Sequence, residues 1–130
     1  MSKLVEQLVD RLRMHPLIKD VRLLNYDETP IGKLEVKLRC RLAKPFQLQI
    51  WLHHETTFQD YAYQLFTDRP LLRWDNAPHY PDLATAPHHF HNEQGEVLDS
   101  PLSGQLMTDL EVVLSAIETW LLAQDGHKFT

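Results

Sequence analysis

The alternation of apolar and polar residues predicts a β-sheet in the first half of the chain. It is clearest over residues 34–42, where every second side chain is apolar and the residues between are mostly Lys and Arg. A period of two is typical of a strand that buries one face. Related patterns predict further strands at 21–26, from 45 to 53, from about 58 to 67, and from 71 to about 75.

Apolar residues spaced by three and four positions predict a helix on each side of these strands. The first covers residues 3–13, and the second carries one apolar stripe over residues 106–121. Asp99 or Ser103 would cap the start of the second helix, and Gly126 would close it.

These elements predict an α+β fold, an antiparallel sheet of about five strands with the N-terminal helix and the long C-terminal helix packed on one face. At this length the chain, residues 1–130, is expected to form a single domain. No apolar run approaches the roughly 20 residues of a membrane span, and the first residues carry mixed charge. A soluble, cytoplasmic protein is therefore the expectation. The single cysteine, Cys40, excludes an internal disulfide and a multi-cysteine zinc site.

The charge is acidic overall but unevenly distributed. Residues 1–75 hold 12 Lys and Arg against 10 Asp and Glu, whereas residues 76–130 hold 1 against 8. A net charge of −5 argues against sequence-blind nucleic-acid binding. A local basic face remains on the strand at 34–42, where a phosphate backbone could lie and Trp51 on the next strand could stack a base; the alternative is a solvated sheet face. Its cations are Lys33, Lys37, Arg39 and Arg41, with Lys44 beyond.

Between the last predicted strand and the C-terminal helix lies a segment without regular periodicity. Residues 71–93 hold three of the eight prolines and four of the eight histidines, which are His79, His88, His89 and His91. Long loops of this kind often carry function. In an extended segment His89 and His91 would share a face, while His88 would point away.

Three interpretations of these histidines stay open. In the first, one imidazole acts as base and another as acid, while Arg73 stabilises an anion and Asp75 lies nearby. In the second, two or three of the histidines bind a metal together with Asp75, although the spacing matches no standard zinc signature. In the third, the histidines cap backbone groups of a turn-rich surface loop.

The motif Arg-Trp-Asp-Asn-Ala-Pro-His at 73–79, followed by Pro-Asp at 81–82 and Ala-Pro-His-His-Phe-His at 86–91, resembles a family signature. It is similar to that of the TumE-type toxins of bacterial type II toxin–antitoxin pairs, approximately Tyr-Asp-Asn-Ala-Pro-His-His-Pro-Glu and then Phe-Pro-His-His-Lys-His. The chain departs from it at Tyr80, where the family often has histidine, and at Phe90, where it often has lysine. The resemblance points to Asp75, Asn76, His79, His88, His89 and His91.

The resemblance implies a small toxin encoded beside a helix-turn-helix antitoxin, with RNA cleavage as its activity. The leading hypothesis is a metal-independent ribonuclease in which RNA lies on the basic strand face. One of His79 and His89 would abstract the 2′-hydroxyl proton and the other would protonate the leaving oxygen. Arg73 would stabilise the phosphorane and Asp75 would orient a histidine, with His88 and His91 as further catalytic candidates and Asn76 as a further nucleic-acid contact.

No cofactor is needed for this hypothesis, but a divalent metal, and with it a metal-dependent phosphodiesterase, remains open. The alternative from another class is a non-catalytic module that binds protein or nucleic acid, with structural histidines. In either case the acidic half of the chain would suit a basic partner such as the antitoxin. A homo-oligomer is also left open.

Overall fold

The structure, a computed structural model, describes residues 1–56 and 59–128, with side chains described as far as residue 124. Phe58, where the fourth strand was predicted to begin, lies outside the described residues. Two helices and seven strands occur in the described ranges. They are α1 Lys3–Met14, β1 Asp20–Glu28, β2 Leu34–Arg41, β3 Gln47–His54, β4 Gln59–Phe66, β5 Pro70–Asp75, β6 His89–His91, β7 Val97–Asp99 and α2 Leu106–Lys128.

The strands form one antiparallel sheet in which every strand pairs with its neighbour in sequence, from β1 to β7. The predicted α+β class is confirmed, but the predicted number of about five strands is wrong. Strands β6 and β7 lie in the segment predicted as a loop, and each has only three residues, too few for alternation to be recognised. The turn between them is held by Asn92, whose Oδ1 accepts hydrogen bonds from the backbone N–H groups of Gln94 and Glu96. Gly95 supplies a positive φ of 83° in the same turn.

Both helices pack on one face of this sheet, as predicted. Leu8 and Leu12 of α1 and Leu110 and Leu114 of α2 belong to the same buried cluster as the apolar side chains of β2 to β5. Alternation sends the polar side chains of those strands to the other side. We call the side with the helices the covered face and the other side the open face. Cys40 lies on the covered face, where burial raises the pKa of its thiol to about 12.

The two helices are tied to each other and to the chain before α2. The Arg11 guanidinium donates to both carboxylate oxygens of Glu111, each at 2.6 Å. Before α2, the Ser103 hydroxyl accepts a hydrogen bond from the Gln105 N–H. The buried Asp109 carboxylate accepts hydrogen bonds from the Ser103 and Gly104 N–H groups, 2.9 and 2.8 Å long. These contacts satisfy donors that precede the first turn.

The predicted ends of α2 are therefore partly wrong. Ser103 does lie beside the start of the helix, but Asp99 belongs to β7. Gly126 does not close the helix, which continues to Lys128, since a glycine inside a helix costs only about 1 kcal/mol. In the described part of the chain, neither helix combines the length and the apolar character that crossing a bilayer requires.

Candidate active site

The strand register places the basic strand and the histidines on the same face of the sheet. On the open face one row of paired residues runs from Lys37 through Trp51, Ala62 and Asp75 to His89. A second, adjacent row runs from Arg39 through Gln49, Gln64 and Arg73 to His91. Neighbouring strands lie about 4.8 Å apart, so each row spans about 19 Å. A polar surface of this length connects the predicted RNA contacts to the predicted catalytic residues.

Asp75 is the centre of a hydrogen-bonded cluster at the β5–β6 end of these rows. Its Oδ1 lies 2.8 Å from Nε2 of His89, and its Oδ2 accepts a 2.7 Å hydrogen bond from Nε of Arg73. The Ala77 backbone N–H donates to Oδ1 at 3.0 Å. The carboxylate is buried, and its charge is balanced by groups on two adjacent strands.

His89 is held on both sides of its ring and is only 1% exposed. Nε2 faces the Asp75 carboxylate, while Nδ1 lies 3.1 Å from the carbonyl oxygen of Pro87. Both neighbours are hydrogen-bond acceptors, so both bonds are made only when each ring nitrogen carries a proton. In that form the ring donates to Asp75 through Nε2 and to the Pro87 carbonyl through Nδ1. Such a ring has no nitrogen left to accept a proton from a substrate, and it orients Asp75 and its neighbours instead.

His91 is the accessible imidazole of the cluster, with 28% of its side chain exposed. Its ring packs against that of His89 with centroids 4.9 Å apart, and its Nε2 lies 3.9 Å from Oδ2 of Asp75. Burial lowers the pKa of His91, and the neighbouring His89 and Arg73 charges lower it further against the opposing effect of Asp75. A cavity of about 380 Å³ opens beside Arg73 and His91, with Gln64 in its wall.

Two residues of this cluster were missed by the sequence analysis as site residues. Tyr80 packs edge-to-face against His89 and His91, with ring centroids 4.8 and 6.0 Å away. It had been noted only as a departure from the family signature. Gln64 accepts a 3.0 Å hydrogen bond from Nη1 of Arg73. Alternation places Gln64 on the open face, but only the strand register shows that it lies opposite Arg73.

The other two histidines of the segment do not join the cluster. His88 lies toward the covered side, where its Nδ1 is 2.6 Å from the Tyr61 hydroxyl and its ring stacks on Tyr61. Burial raises the pKa of Tyr61, so the phenol keeps its proton, and its hydroxyl is hydrogen-bonded to the His88 ring. His79 is exposed, and its side chain makes no hydrogen bond or ion pair in the described ranges. The structure thus brings together His89 and His91, which alternation had assigned to one face, but not all four rings.

Two arginines of the open face are linked to neighbouring side chains. Arg39 donates to Oε1 of Gln49 at 2.7 Å and lies over the Phe66 ring. Arg41 pairs with Asp20 at the outer edge of the sheet. Lys37 is half-buried and lies opposite Trp51 in the pairing of β2 with β3. These contacts fix the positions of the cations while leaving N–H groups available for phosphate.

The two other predicted nucleic-acid contacts differ in their surroundings. Trp51 is half-exposed on the open face, and its Nε1 donates a long 3.4 Å hydrogen bond to Glu35. Asn76 uses both ends of its amide on the backbone, since Oδ1 accepts from the Tyr61 N–H and Nδ2 donates to the Gln59 carbonyl. In this structure Asn76 joins the end of β5 to the start of β4.

Asp75, His89 and His91 also satisfy a simple test for a metal site. Their ligand atoms all lie within 4.8 Å of one another, and two imidazoles with one carboxylate suit zinc, manganese or iron. The hydrogen bond of His89 Nδ1 to a backbone carbonyl is typical of a metal-binding histidine. With Nε2 of His89 unprotonated, the donor set fits a divalent metal. The Arg73 guanidinium on the same carboxylate would compete with the ion.

Comparison with known proteins identifies the chain's family. The family model described as Toxin TumE matches residues 5–121. Searches of curated proteins and of solved structures gave no significant match. The family match includes every strand of the sheet and every residue of the Asp75 cluster.

Proposed function

The chain belongs to the TumE toxin family, and from this premise we propose that it acts as a toxin by cleaving RNA at the cluster of Arg73, Asp75, His89 and His91. The observation that carries the proposal is the pairing of an accessible imidazole with an arginine beside a cavity, at the end of a polar and basic sheet face. Phosphodiester cleavage needs a base for the attacking hydroxyl and a cation for the phosphorane.

His91 takes the role of the base. Its ring nitrogens have no hydrogen-bond partner in the described residues, and its lowered pKa favours the neutral ring near pH 7. His89 was the earlier candidate, but its burial and its two acceptor contacts prevent it from receiving a proton. His89 and Asp75 are positioning residues, which hold Arg73 and His91 in place.

The cleavage step follows from these positions. His91 removes the 2′-hydroxyl proton, the 2′-oxygen attacks phosphorus, and Arg73 pairs with the charge that develops on the non-bridging oxygens. The bond from phosphorus to the 5′-oxygen breaks, and that oxygen takes a proton from the Tyr80 hydroxyl, an exposed donor whose ring contacts both histidines. The Tyr80 phenolate then takes a proton from water and the His91 imidazolium releases one, which restores both residues. The products are a 2′,3′-cyclic phosphate and a free 5′-hydroxyl. The rest of the strand lies along the rows that contain Arg39 and Trp51.

The test is cleavage of a labelled single-stranded RNA by the purified protein. We expect His91→Ala to slow cleavage by about 100-fold or more, as loss of a general base does. His79→Ala is the matched control, since His79 is an exposed histidine of the same segment outside the cluster, and it should change the rate by less than about 3-fold. A DNA strand of the same sequence should stay intact because it lacks the attacking hydroxyl. Cleavage at the wild-type rate by His91→Ala, or no cleavage of any RNA by the wild type, would contradict the proposal.

A second candidate, a metal-dependent phosphodiesterase, is favoured by three ligand atoms that lie within 4.8 Å of one another. Asp75, His89 and His91 would hold the ion, which would supply Lewis-acid activation of water or of the phosphate. The two candidates differ in two measurements. A chelator should leave the acid–base reaction unchanged but stop the metal-dependent one, with recovery on adding zinc or manganese. Cleavage of the matching DNA strand would likewise favour the metal-dependent reaction, because that reaction does not use the 2′-hydroxyl.

A further inference from the structure

The covered face is not covered along its whole width. One row of paired apolar residues runs across it from Leu38 through Ile50, Tyr63, Trp74 and Phe90 to Leu98. The first three are fully buried and Trp74 nearly so, whereas Phe90 is half-buried and Leu98 is 42% exposed. The apolar row therefore continues beyond the helices, over β6 and β7.

The dimensions of the two layers explain this gap. Seven strands spaced by about 4.8 Å make a sheet about 29 Å wide. Two helices, each about 10 Å across, cover about 20 Å of it. The remaining width, about 9 Å, is close to the diameter of one more helix. In the described residues no third helix of this chain occupies that position.

A groove of about 580 Å³, the largest cavity described in the structure, lies where this helix would pack. Trp74 and Phe90 form its floor, with ring centroids 5.0 Å apart, and Trp120 closes one end. Apart from Trp120, the α2 residues that line the groove are small, and Ala116, Thr119 and Ala123 follow one another at intervals of three and four. Small side chains at this spacing leave room for another helix to approach α2 closely.

Charge limits the kind of partner that fits. Glu93 lines the groove, and its carboxylate accepts a 3.2 Å hydrogen bond from the Trp120 indole N–H. Residues 76–130, which supply most of the groove and its surroundings, hold eight acidic residues and one basic residue. A second copy of this chain would place acidic residues against acidic residues, whereas a basic partner would be attracted.

We propose that an amphipathic helix of the cognate antitoxin packs in this groove beside α2, as the third helix of the covered face. Its apolar side contacts Trp74 and Phe90, and its Lys or Arg side chains lie near Glu93. Family membership implies an antitoxin partner, and the groove gives the position and the chemistry of contact. The site lies on the opposite face from His91, so the proposal does not depend on RNA cleavage.

The experiment measures binding of the antitoxin encoded beside this chain to the purified full-length protein by calorimetry. Ala123→Arg places a large cation in the groove and should weaken binding by about 100-fold or more, as blocking an interface centre does. The matched control is Leu122→Arg, which introduces the same side chain at the adjacent position, 65% exposed and outside the groove lining, and should change Kd by less than about 3-fold. Thermal unfolding of both variants should match that of the wild type.

A growth assay gives an independent result. Cells that make Ala123→Arg together with the antitoxin should arrest, because the variant is still toxic but no longer neutralised, whereas Leu122→Arg should be neutralised. Unchanged antitoxin affinity of Ala123→Arg would overturn the proposal, and so would equal losses in both variants. A dimer of the free protein that becomes a monomer in Ala123→Arg would assign the groove to a second copy instead. If the wild-type protein does not cleave RNA but Ala123→Arg loses antitoxin binding, only the cleavage proposal is rejected.

Discussion

The covered and open faces of the sheet use the same backbone but stabilise their side chains in different ways. On the covered face the residues are apolar, and their position is set by close packing under α1 and α2. On the open face the side chains are polar, and pairs across adjacent strands hold them, as with Arg39 and Gln49 or Arg73 and Gln64. Burial on the first face supplies stability, whereas pairing on the second supplies defined positions for charged groups.

The two faces differ least in burial at Asp75 and His89, which lie on the open face but are as buried as residues of the core. Tyr80 packs over His89 from the segment between β5 and β6. A charge pair enclosed in this way is costly to break, because the remaining partner stays buried and unpaired. This end of the open face therefore combines a structural role with the proposed chemical one.

Asp75→Asn should have the largest effect, because it removes the buried charge that makes this end of the open face resemble the covered face. The amide removes the negative charge that His89 and Arg73 share, so the free energy of unfolding should fall by about 3 to 4 kcal/mol. Cleavage should be lost as well. Urea unfolding followed by tryptophan fluorescence measures the first effect. If the variant is as stable as the wild type, the buried pair has been assigned incorrectly.

Leu110→Ala tests the covered face, where we expect a loss of stability without a loss of cleavage. Leu110 is fully buried, so its truncation should lower the free energy of unfolding by about 3 kcal/mol. Because it lies on the other side of the sheet from His91, the cleavage rate per folded molecule should be unchanged within about 3-fold. A loss of rate comparable to that of His91→Ala would show that the two faces are coupled.

Trp51→Ala tests the open face away from the buried pair. Loss of a stacking surface should weaken RNA binding by about 10-fold. Unfolding should change little, since the side chain is half-exposed. Titration of a fluorescent single-stranded RNA measures the affinity, and Met14→Ala, at an exposed residue on α1, serves as the control. Equal affinities of Trp51→Ala and wild type would remove Trp51 from the RNA path.

The smallest effect concerns Arg11 and Glu111, which join the two helices. The hydrogen bond from Arg11 lowers the pKa of Glu111 below its ordinary value of 4.5. A lowered carboxyl pKa stabilises the folded state above the unfolded pKa, and this contribution is lost as the pH falls through the folded value. The stability difference between wild type and Glu111→Gln should be present at pH 7 and diminish as the pH falls below 4.5 and through the lowered pKa of Glu111. An equal difference at pH 7 and pH 3 would contradict the assignment.

The parts of this fold that were predictable from sequence are those with enough residues to show a period. The alternation around Leu38 identified β2 and both of its faces, and the stripe of α2 identified its packing side. Strands β6 and β7 were missed because three residues cannot establish a period. The helix was predicted to end at Gly126, but it continues to Lys128, because a glycine inside a helix costs only about 1 kcal/mol.

The site was predictable as a set of residue types but not as an arrangement. Alternation correctly separated His88 from His89 and His91, and the motif pointed to Asp75. The motif could not show that His89 has acceptors beside both ring nitrogens, because Pro87 lies in the segment before β6 whereas Asp75 lies on β5. The roles of His91 and Tyr80 likewise depend on the pairing of β5 with β6, which sequence spacing does not specify.

The pairing of β6 with β5 extends over only three residues, Arg73 to His91, Trp74 to Phe90 and Asp75 to His89. A slip of one residue would exchange the two faces of β6. His88 and Phe90 would then lie on the open face, and His89 and His91 would lie on the covered face. Because His88 precedes His89, the slipped strand would still carry a histidine on the open face, but the Asp75 cluster would not form. The three residue pairs between β5 and β6 thus determine which histidines lie on the open face of the sheet.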